Sequence, residues 1–278
     1  MEHSFTFAVI GGDRRSFYAA EKFREYGFET KLFGLRETRT YHPDEKIEAE
    51  AVLLPIPFTR DGIHIFAPES SEDICITDVL ASVPKNALIF AGGANGIVDH
   101  RIADYAKRDD FAWMNAVPTA EGALLLALQN GKNTVRGMPV AVIGFGRVAF
   151  AVAKIFSAVG AQVTVFARRE QARTQAHILG YTAKPISELA DCTELYSLWI
   201  NTVPSRIFER NILERIPGDV CIMELASAPY GVDFEEAASL GVRTLQASGL
   251  PGKYFPETAG YAVAETVRNI LREKQILF

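Results

Sequence analysis

The segment PVAVIGFGRVAFAVAKIFSAVGAQVTVFARR, Pro139 to Arg169, constrains the fold more than any other part of the chain. A short apolar run leads into Gly144 and Gly146, an amphipathic stretch follows, and a second apolar run, QVTVFA, closes the segment. The pattern predicts strand, tight turn, helix and parallel strand within a unit of about 30 residues, the context in which Gly-x-Gly-x-x-Ala signifies a dinucleotide site. Gly144 allows the sharp turn, Gly146 lets a pyrophosphate approach the backbone, and Ala149 lets helix and strand pack closely. The helix N-terminus presents free amides and a positive dipole end to phosphate. Gly144, Phe145, Gly146, Arg147 and Val148 are the first candidate cofactor contacts.

About 20 residues after the first glycine, a binder of NAD carries a carboxylate for the adenosine ribose. Here the strand ends in Ala167, Arg168 and Arg169. Guanidinium groups match a 2′-phosphate through forked, charge-assisted hydrogen bonds, so the expected cofactor is NADP. Arginines that merely solvate a helix start are the competing explanation, but cations at a helix N-terminus are electrostatically disfavoured.

Strand-like runs alternate with amphipathic stretches along the whole chain, which predicts an α/β protein built on parallel sheets. FTFAVIGG, TKLFG, AEAVLLPI, NALIFAGG and FAWMN form a first strand series, with helices after Asp13, around Asp78 and from Ile97 to Lys107. PVAVIG, QVTVFA, LWINTV, VCIMELA and VRTLQAS form a second. PTAEGALLLALQNGK reads as a linking helix that starts at Pro118 and stops at Asn130-Gly131. AGYAVAETVRNILREKQ places Ala259, Val263, Val267, Ile270 and Lys274 near one stripe, and such a helix is expected to cross back onto the first domain. The resulting fold class is two doubly wound open parallel-sheet domains with an interdomain cleft: a flavodoxin-like substrate domain, residues 1–117 with 259–278, and a Rossmann-type NADP domain, residues 118–258, with 118–131 as the linking helix. PFTRDGIHIFAPESSED is the longest loop-like stretch and a candidate mobile flap.

Composition excludes several classes. At 278 residues two domains are the natural prior, and a formal charge of -5 argues against a general nucleic-acid binder. Cys75, Cys192 and Cys221 are odd in number and scattered, which fits a reduced compartment and neither a disulfide framework nor a metal site. No signal peptide is apparent, and no uninterrupted apolar run reaches the roughly 20 residues of a membrane span. The expectation is a cytoplasmic protein without metal, nucleic-acid or membrane partners. FAVIGGDRR carries a strand and glycine turn of its own but lacks the Gly-x-Gly-x-x-Gly spacing, so the first domain is expected to hold substrate instead.

The motifs AVIGGDRR, FAGGAN, NAVPTAEGALLLALQ, VAVIGFGRVA, INTVPS, LASAPYGVDF and SGLPGKYFPETAG, in this order across nearly the whole chain, resemble the dipicolinate synthase A-subunit family of endospore-forming bacteria. The resemblance implies oxidation of 2,3-dihydrodipicolinate, or its hydrated precursor from the lysine pathway, to dipicolinate with reduction of NADP. It also implies a partner, the flavoprotein-like dipicolinate synthase B-subunit, and a place in the mother cell during sporulation; an oligomer is expected.

Hydride transfer needs the nicotinamide held against a substrate carbon. Asn201, Thr202, Val203, Pro204 and Ser205 of INTVPS, with Leu225 and Ala226 of the next strand end, are candidates for the nicotinamide half. Ser227 is a candidate for the carboxamide or a substrate carboxylate. Glu121 is a candidate general base tuned by burial, or a first-turn carboxylate favoured by the helix dipole; Thr119 and Ser227 complete the catalytic set. A dicarboxylate needs cations or several neutral donors: Arg15, the amides of Gly92 and Gly93, Asn95 and Asn115 are the substrate candidates. His3, His42, His64, His100 and His177 fall outside the motifs. Two alternatives stay open: a non-catalytic NADP-binding regulatory subunit, and another NADP-dependent dehydrogenase of 2-hydroxy-acid or alanine dehydrogenase architecture.

Overall fold

The computed structural model describes residues 5–97 and 99–276, so His3 lies outside the described residues. The chain divides into two compact units, residues 1–115 with 251–278 and residues 116–250.

In the first unit, β1 (Thr6–Ile10), β2 (Glu29–Phe33), β3 (Ala51–Leu53), β4 (Leu88–Ala91) and β5 (Ile102–Asp104) form one parallel sheet in the order β2-β1-β3-β4-β5. This is the flavodoxin-like doubly wound order, with its switch point between β1 and β3. Helix α1 (Arg14–Glu25) starts where the Asp13 side chain accepts from Arg15 N at 3.0 Å, and its last turn carries Lys22 and Arg24, which suit the negative dipole end. Gly27 then takes a φ of +89°, a left-handed conformation that lets the chain reverse into β2. Helix α2 (Ile76–Ser82) covers the other face.

Two expected elements are corrected. The stretch from Ile97 to Lys107 is not a helix: it contains β5 and a single 3-10 turn, Tyr105–Lys107. FAWMN is not a strand but lies inside α3 (Asp109–Asn130). Phe111 and Met114 both pack into the first unit's core, a helical spacing rather than an alternation, and Asp109 and Asp110 favour a helix start. Pro118 therefore sits inside the helix and not at its beginning. It removes one backbone bond, and α3 persists because Phe111 and Ala116 before it and Ala120, Ala123 and Ala127 after it are buried. Among the described residues α3 is also long and apolar enough to cross a membrane, which counting uninterrupted apolar runs misses; its buried alanines are those of a core helix.

In the second unit, β6 (Pro139–Ile143), β7 (Gln162–Ala167), β8 (Thr182–Pro185), β9 (Leu198–Asn201), β10 (Cys221–Glu224) and β11 (Arg243–Gln246) are all parallel, in the order β11-β10-β9-β6-β7-β8. This is the dinucleotide-binding order, with its switch point between β6 and β9. Strand β8 is absent from the sequence expectation because TAKP is a half-exposed edge strand without an apolar run. Helices α4 (Arg147–Ala158), α5 (Glu170–Ile178), α6 (Arg210–Leu213) and α7 (Phe234–Ser239) complete the unit. Its core is built around Trp199, enclosed by Phe166, Tyr196 and Phe208.

Helices α8 (Leu250–Tyr254) and α9 (Pro256–Glu273) follow. Residues 251–258, expected with the nucleotide domain, group with the first unit instead; a Cβ on Gly252 would stand 2.7 Å from Arg15 Nε, so α8 is packed against the start of α1. Helix α9 returns to the first unit, burying Ala259, Val263, Val267, Ile270 and Leu271, while Lys274 is an exposed C-cap. At Gly260, α9 and α1 touch closely, and Oη of Tyr26, the C-cap of α1, donates to Glu265 at 2.5 Å across the pair. The loop 57–73 is tied down: Phe58 and Ile65 are buried, and Gly12 N donates to Phe66 O at 2.7 Å.

Candidate functional site

The turn between β6 and α4 has the shape a pyrophosphate requires. Gly144 adopts a φ of +93°, and a Cβ there would lie 2.7 Å from Thr202 Oγ1 and 2.9 Å from Val203 Cγ2. Gly146 is different: its backbone is extended, it N-caps α4 with no side-chain cap, and a Cβ would meet nothing within 4 Å. The first glycine is demanded by the protein's own packing, the second leaves space open at a helix N-terminus, and a phosphate group fits that arrangement. Ala149 is fully buried, as close helix packing demands. Phe145 packs edge-on against Phe150 and Tyr181, and Val148 is half-buried, so these two support the turn with their side chains.

At the carboxyl end of β7, Ala167 is buried while Arg168 and Arg169 are exposed. A third arginine, missed by sequence reasoning, joins them. Arg173 Nη1 donates to Ala167 O at 3.0 Å and Arg168 O at 2.8 Å, clamping the strand end. Its signal in the sequence is the four-residue step from Arg169 along a helix. Arg147 is exposed at the start of α4.

The ends of β9 and β10 correct one assignment. Asn201 is fully buried and its amide is spent internally: Nδ2 donates to Glu224 Oε1 at 2.8 Å, to Glu224 Oε2 at 2.9 Å and to Val203 O at 3.0 Å, while Oδ1 accepts from Val203 N. It is a structural residue, not a cofactor ligand. Glu224, absent from the sequence candidates, also accepts from Ala226 N at 3.0 Å and Gly231 N at 2.9 Å. Burial raises the pKa of its carboxyl, opposed only in part by the N–H donors of Gly231, Asn201, Ala226 and Val232. A carboxylate ending an apolar strand, VCIMELA, is the signal that could have found it. Thr202 Oγ1 donates to Ile143 O at 2.7 Å, and Leu225 N to Asn201 O at 2.9 Å. Pro204, Ser205 and Ser227 are exposed.

In the first unit two substrate assignments are corrected. Arg15 is paired with Asp13, Nε to Oδ1 at 2.9 Å and Nη2 to Oδ2 at 2.8 Å, and also donates to Ile56 O. Its charge is neutralised within the β1 turn. Gly93 does offer its amide to a carboxylate, but that carboxylate is internal: Asp104 accepts from Gly93 N at 2.9 Å, Ala94 N at 3.2 Å and Ala106 N at 3.0 Å, while Gly92 N donates to Pro55 O. Asn95 is exposed. Along α3, Asn115 is half-buried and Thr119 buried. Glu121 is exposed and lies in the helix interior, so it is neither a first-turn carboxylate nor a base tuned by burial. His64 Nδ1 lies 2.7 Å from Asp61 Oδ2 in an exposed loop, a contact that raises the imidazole pKa.

Strand order, glycine turn and basic strand end together define an α/β protein of the dehydrogenase class with a nicotinamide-dinucleotide domain. Residues 121–228 match the D-isomer specific 2-hydroxyacid dehydrogenase NAD binding domain, and residues 6–111 match the N-terminal domain of the dipicolinate synthase A-subunit. The chain is 32% identical to the dipicolinate synthase A-subunit of Bacillus subtilis (strain 168), over 96% of each. Crystal structures of that family superpose closely: the Bacillus halodurans protein at a TM-score of 0.86 and 29% identity, covering 96% of this chain and 97% of that one, and the Bacillus subtilis protein at 0.85 and 30%, covering 99% and 98%. The chain belongs to the dipicolinate synthase A-subunit family.

Proposed function

We propose that this chain is an NADP-dependent dehydrogenase subunit that oxidises 2,3-dihydrodipicolinate, or its hydrated precursor with loss of water, to dipicolinate, acting in the cytoplasm of the sporulating mother cell beside a flavoprotein-like subunit. The observation that carries the cofactor choice is the cluster of Arg168, Arg169 and Arg173 at the end of β7, where a binder of NAD holds an acid. Gly146 and the start of α4 would hold the pyrophosphate, and the 202–205 and 225–227 segments the nicotinamide half. When bound, the nicotinamide would accept a hydride, and the substrate would release a proton as its ring becomes aromatic. Glu121 is the proposed proton acceptor, as a solvated carboxylate. Thr119, on a different face of α3, stays a candidate, and the exposed Asn95 and Ser227 are the proposed carboxylate donors together with Asn115.

The test compares NADP and NAD affinity in the wild type and in Arg168→Asp. One charge-assisted hydrogen bond contributes about 1.5–3 kcal/mol, so NADP affinity is expected to fall about 10- to 100-fold while NAD binding holds or improves. An unchanged ratio refutes the assignment. The internal pairing of Arg15 with Asp13, and of the Gly93 amide with Asp104, specifically favours a second reading, a regulatory subunit that binds NADP without turning substrate over. Assays of the chain alone and with the flavoprotein-like subunit separate the two: NADP binding without turnover in either sample supports the regulatory reading.

A further inference from the structure

Glu224 is a fully buried carboxylate whose hydrogen-bond partners are all amides: Asn201 Nδ2, Ala226 N and Gly231 N at 2.8–3.0 Å, with the N–H of Val232 beside them. Each carboxylate oxygen accepts twice in this set, and the set offers no acceptor for a carboxyl proton, so the geometry holds the ionised form. Burying such a charge costs several kcal/mol. The expense calls for a purpose beyond tying two loops together.

Its position supplies one. Ile143, Asn201 and Glu224 stand in register across β6, β9 and β10, at the carboxyl edge where the glycine turn leaves β6. The switch point lies between β6 and β9, so β9 and β10 belong to the half opposite the arginine-tipped β7. Two strand spacings, roughly 10 Å, separate the Glu224 strand from the strand of the turn. A nicotinamide ring is cationic when oxidised and neutral when reduced, and a fixed negative charge beneath its half of the fold distinguishes the two.

We propose that the Glu224 carboxylate biases this unit toward the oxidised, cationic form of the dinucleotide, an inference that rests on the reading that the unit binds NADP. It acts as a positioning and charge-setting residue, holding the 202–205 and 225–231 segments through Asn201, Ala226 and Gly231 while favouring the form that accepts a hydride. A 10-fold preference corresponds to about 1.4 kcal/mol, which unit charges in a site of reduced dielectric exchange without direct contact.

The experiment titrates the full-length wild type, Glu224→Gln and Glu224→Asp with NADP, NADPH and 2′-phospho-ADP-ribose, which lacks the nicotinamide. In Glu224→Gln the ratio of the NADP to the NADPH dissociation constant is expected to rise about 10-fold, with 2′-phospho-ADP-ribose unchanged; Glu224→Asp, which keeps the charge, retains the wild-type ratio. Equal weakening of all three ligands, an unchanged ratio, or the same shift in both variants overturns the proposal, because each assigns Glu224 to structure alone. A wild type that binds NADPH more tightly than NADP overturns it whatever the variants do, including variants that do not fold. A wild type that binds none of the three overturns the NADP reading and this proposal with it, whereas binding of 2′-phospho-ADP-ribose with an unaltered ratio removes only the charge.

Discussion

The two glycines of the β6–α4 turn should separate when each is replaced by alanine. In Gly144→Ala the new Cβ must coexist with Thr202 Oγ1 at 2.7 Å and Val203 Cγ2 at 2.9 Å, on a residue whose φ is +93°. The positive φ costs about 1–3 kcal/mol, and displacing Thr202 from Ile143 O costs about 1 kcal/mol more. A total of roughly 3 kcal/mol lowers the folded-to-unfolded ratio more than 100-fold. In Gly146→Ala the Cβ enters open space on extended backbone, so the stability cost is limited to a poorer N-cap, about 1 kcal/mol or less. The methyl group would nonetheless stand where phosphate oxygens meet the amides of α4, and losing one charge-assisted hydrogen bond there weakens dinucleotide affinity at least about 10-fold. Urea unfolding followed by the emission of Trp199, buried in this unit, measures the first quantity, and NADP titration measures the second. If Gly146→Ala destabilises as much as Gly144→Ala, or binds NADP like the wild type, the division between a packing glycine and a ligand glycine is refuted.

Other outcomes follow from named contacts. In Gly260→Ala the Cβ would stand 2.5 Å from Arg15 O and 2.8 Å from Tyr18 Cβ, so α1 and α9 must part; a loss of about 1–3 kcal/mol is expected, read as a lower thermal midpoint, and an unchanged midpoint would show the helices free to adjust. Burial, aided by the Glu265 hydrogen bond, pushes Tyr26 up to about 12. Its folded pKa exceeds the ordinary value of about 10, so its stabilisation is complete below pH 10 and is lost as pH rises toward 12. The stability difference between wild type and Tyr26→Phe should therefore shrink across that window in urea titrations, and a constant difference would discount the linkage. For Glu121→Gln, turnover is expected to fall with little change in NADP affinity, and wild-type turnover would remove that residue from the chemistry.

Periodicity and turn chemistry act locally, so the sequence by itself determined both strand series apart from their edges, the sharp turn at Gly144, the basic end of β7 and the return of α9. Its failures are of one kind. Strands β5 and β8 are short edges stabilised by the neighbours they pair with, and neither carries the apolar alternation that announces a strand. FAWMN is apolar enough for either structure, and only the core that receives Phe111 and Met114 made it helical. The functional side chains diverge for a related reason. A sequence shows that Arg15, Asn201 and the Gly93 amide can donate hydrogen bonds, but not whether the folded chain has already supplied an acceptor. Asp13 reaches Arg15 locally, two residues away, but tertiary structure decided that Ile56 O, Glu224 and Asp104 accept from Arg15, Asn201 and Gly93, because polar groups are satisfied by whatever the fold brings within reach.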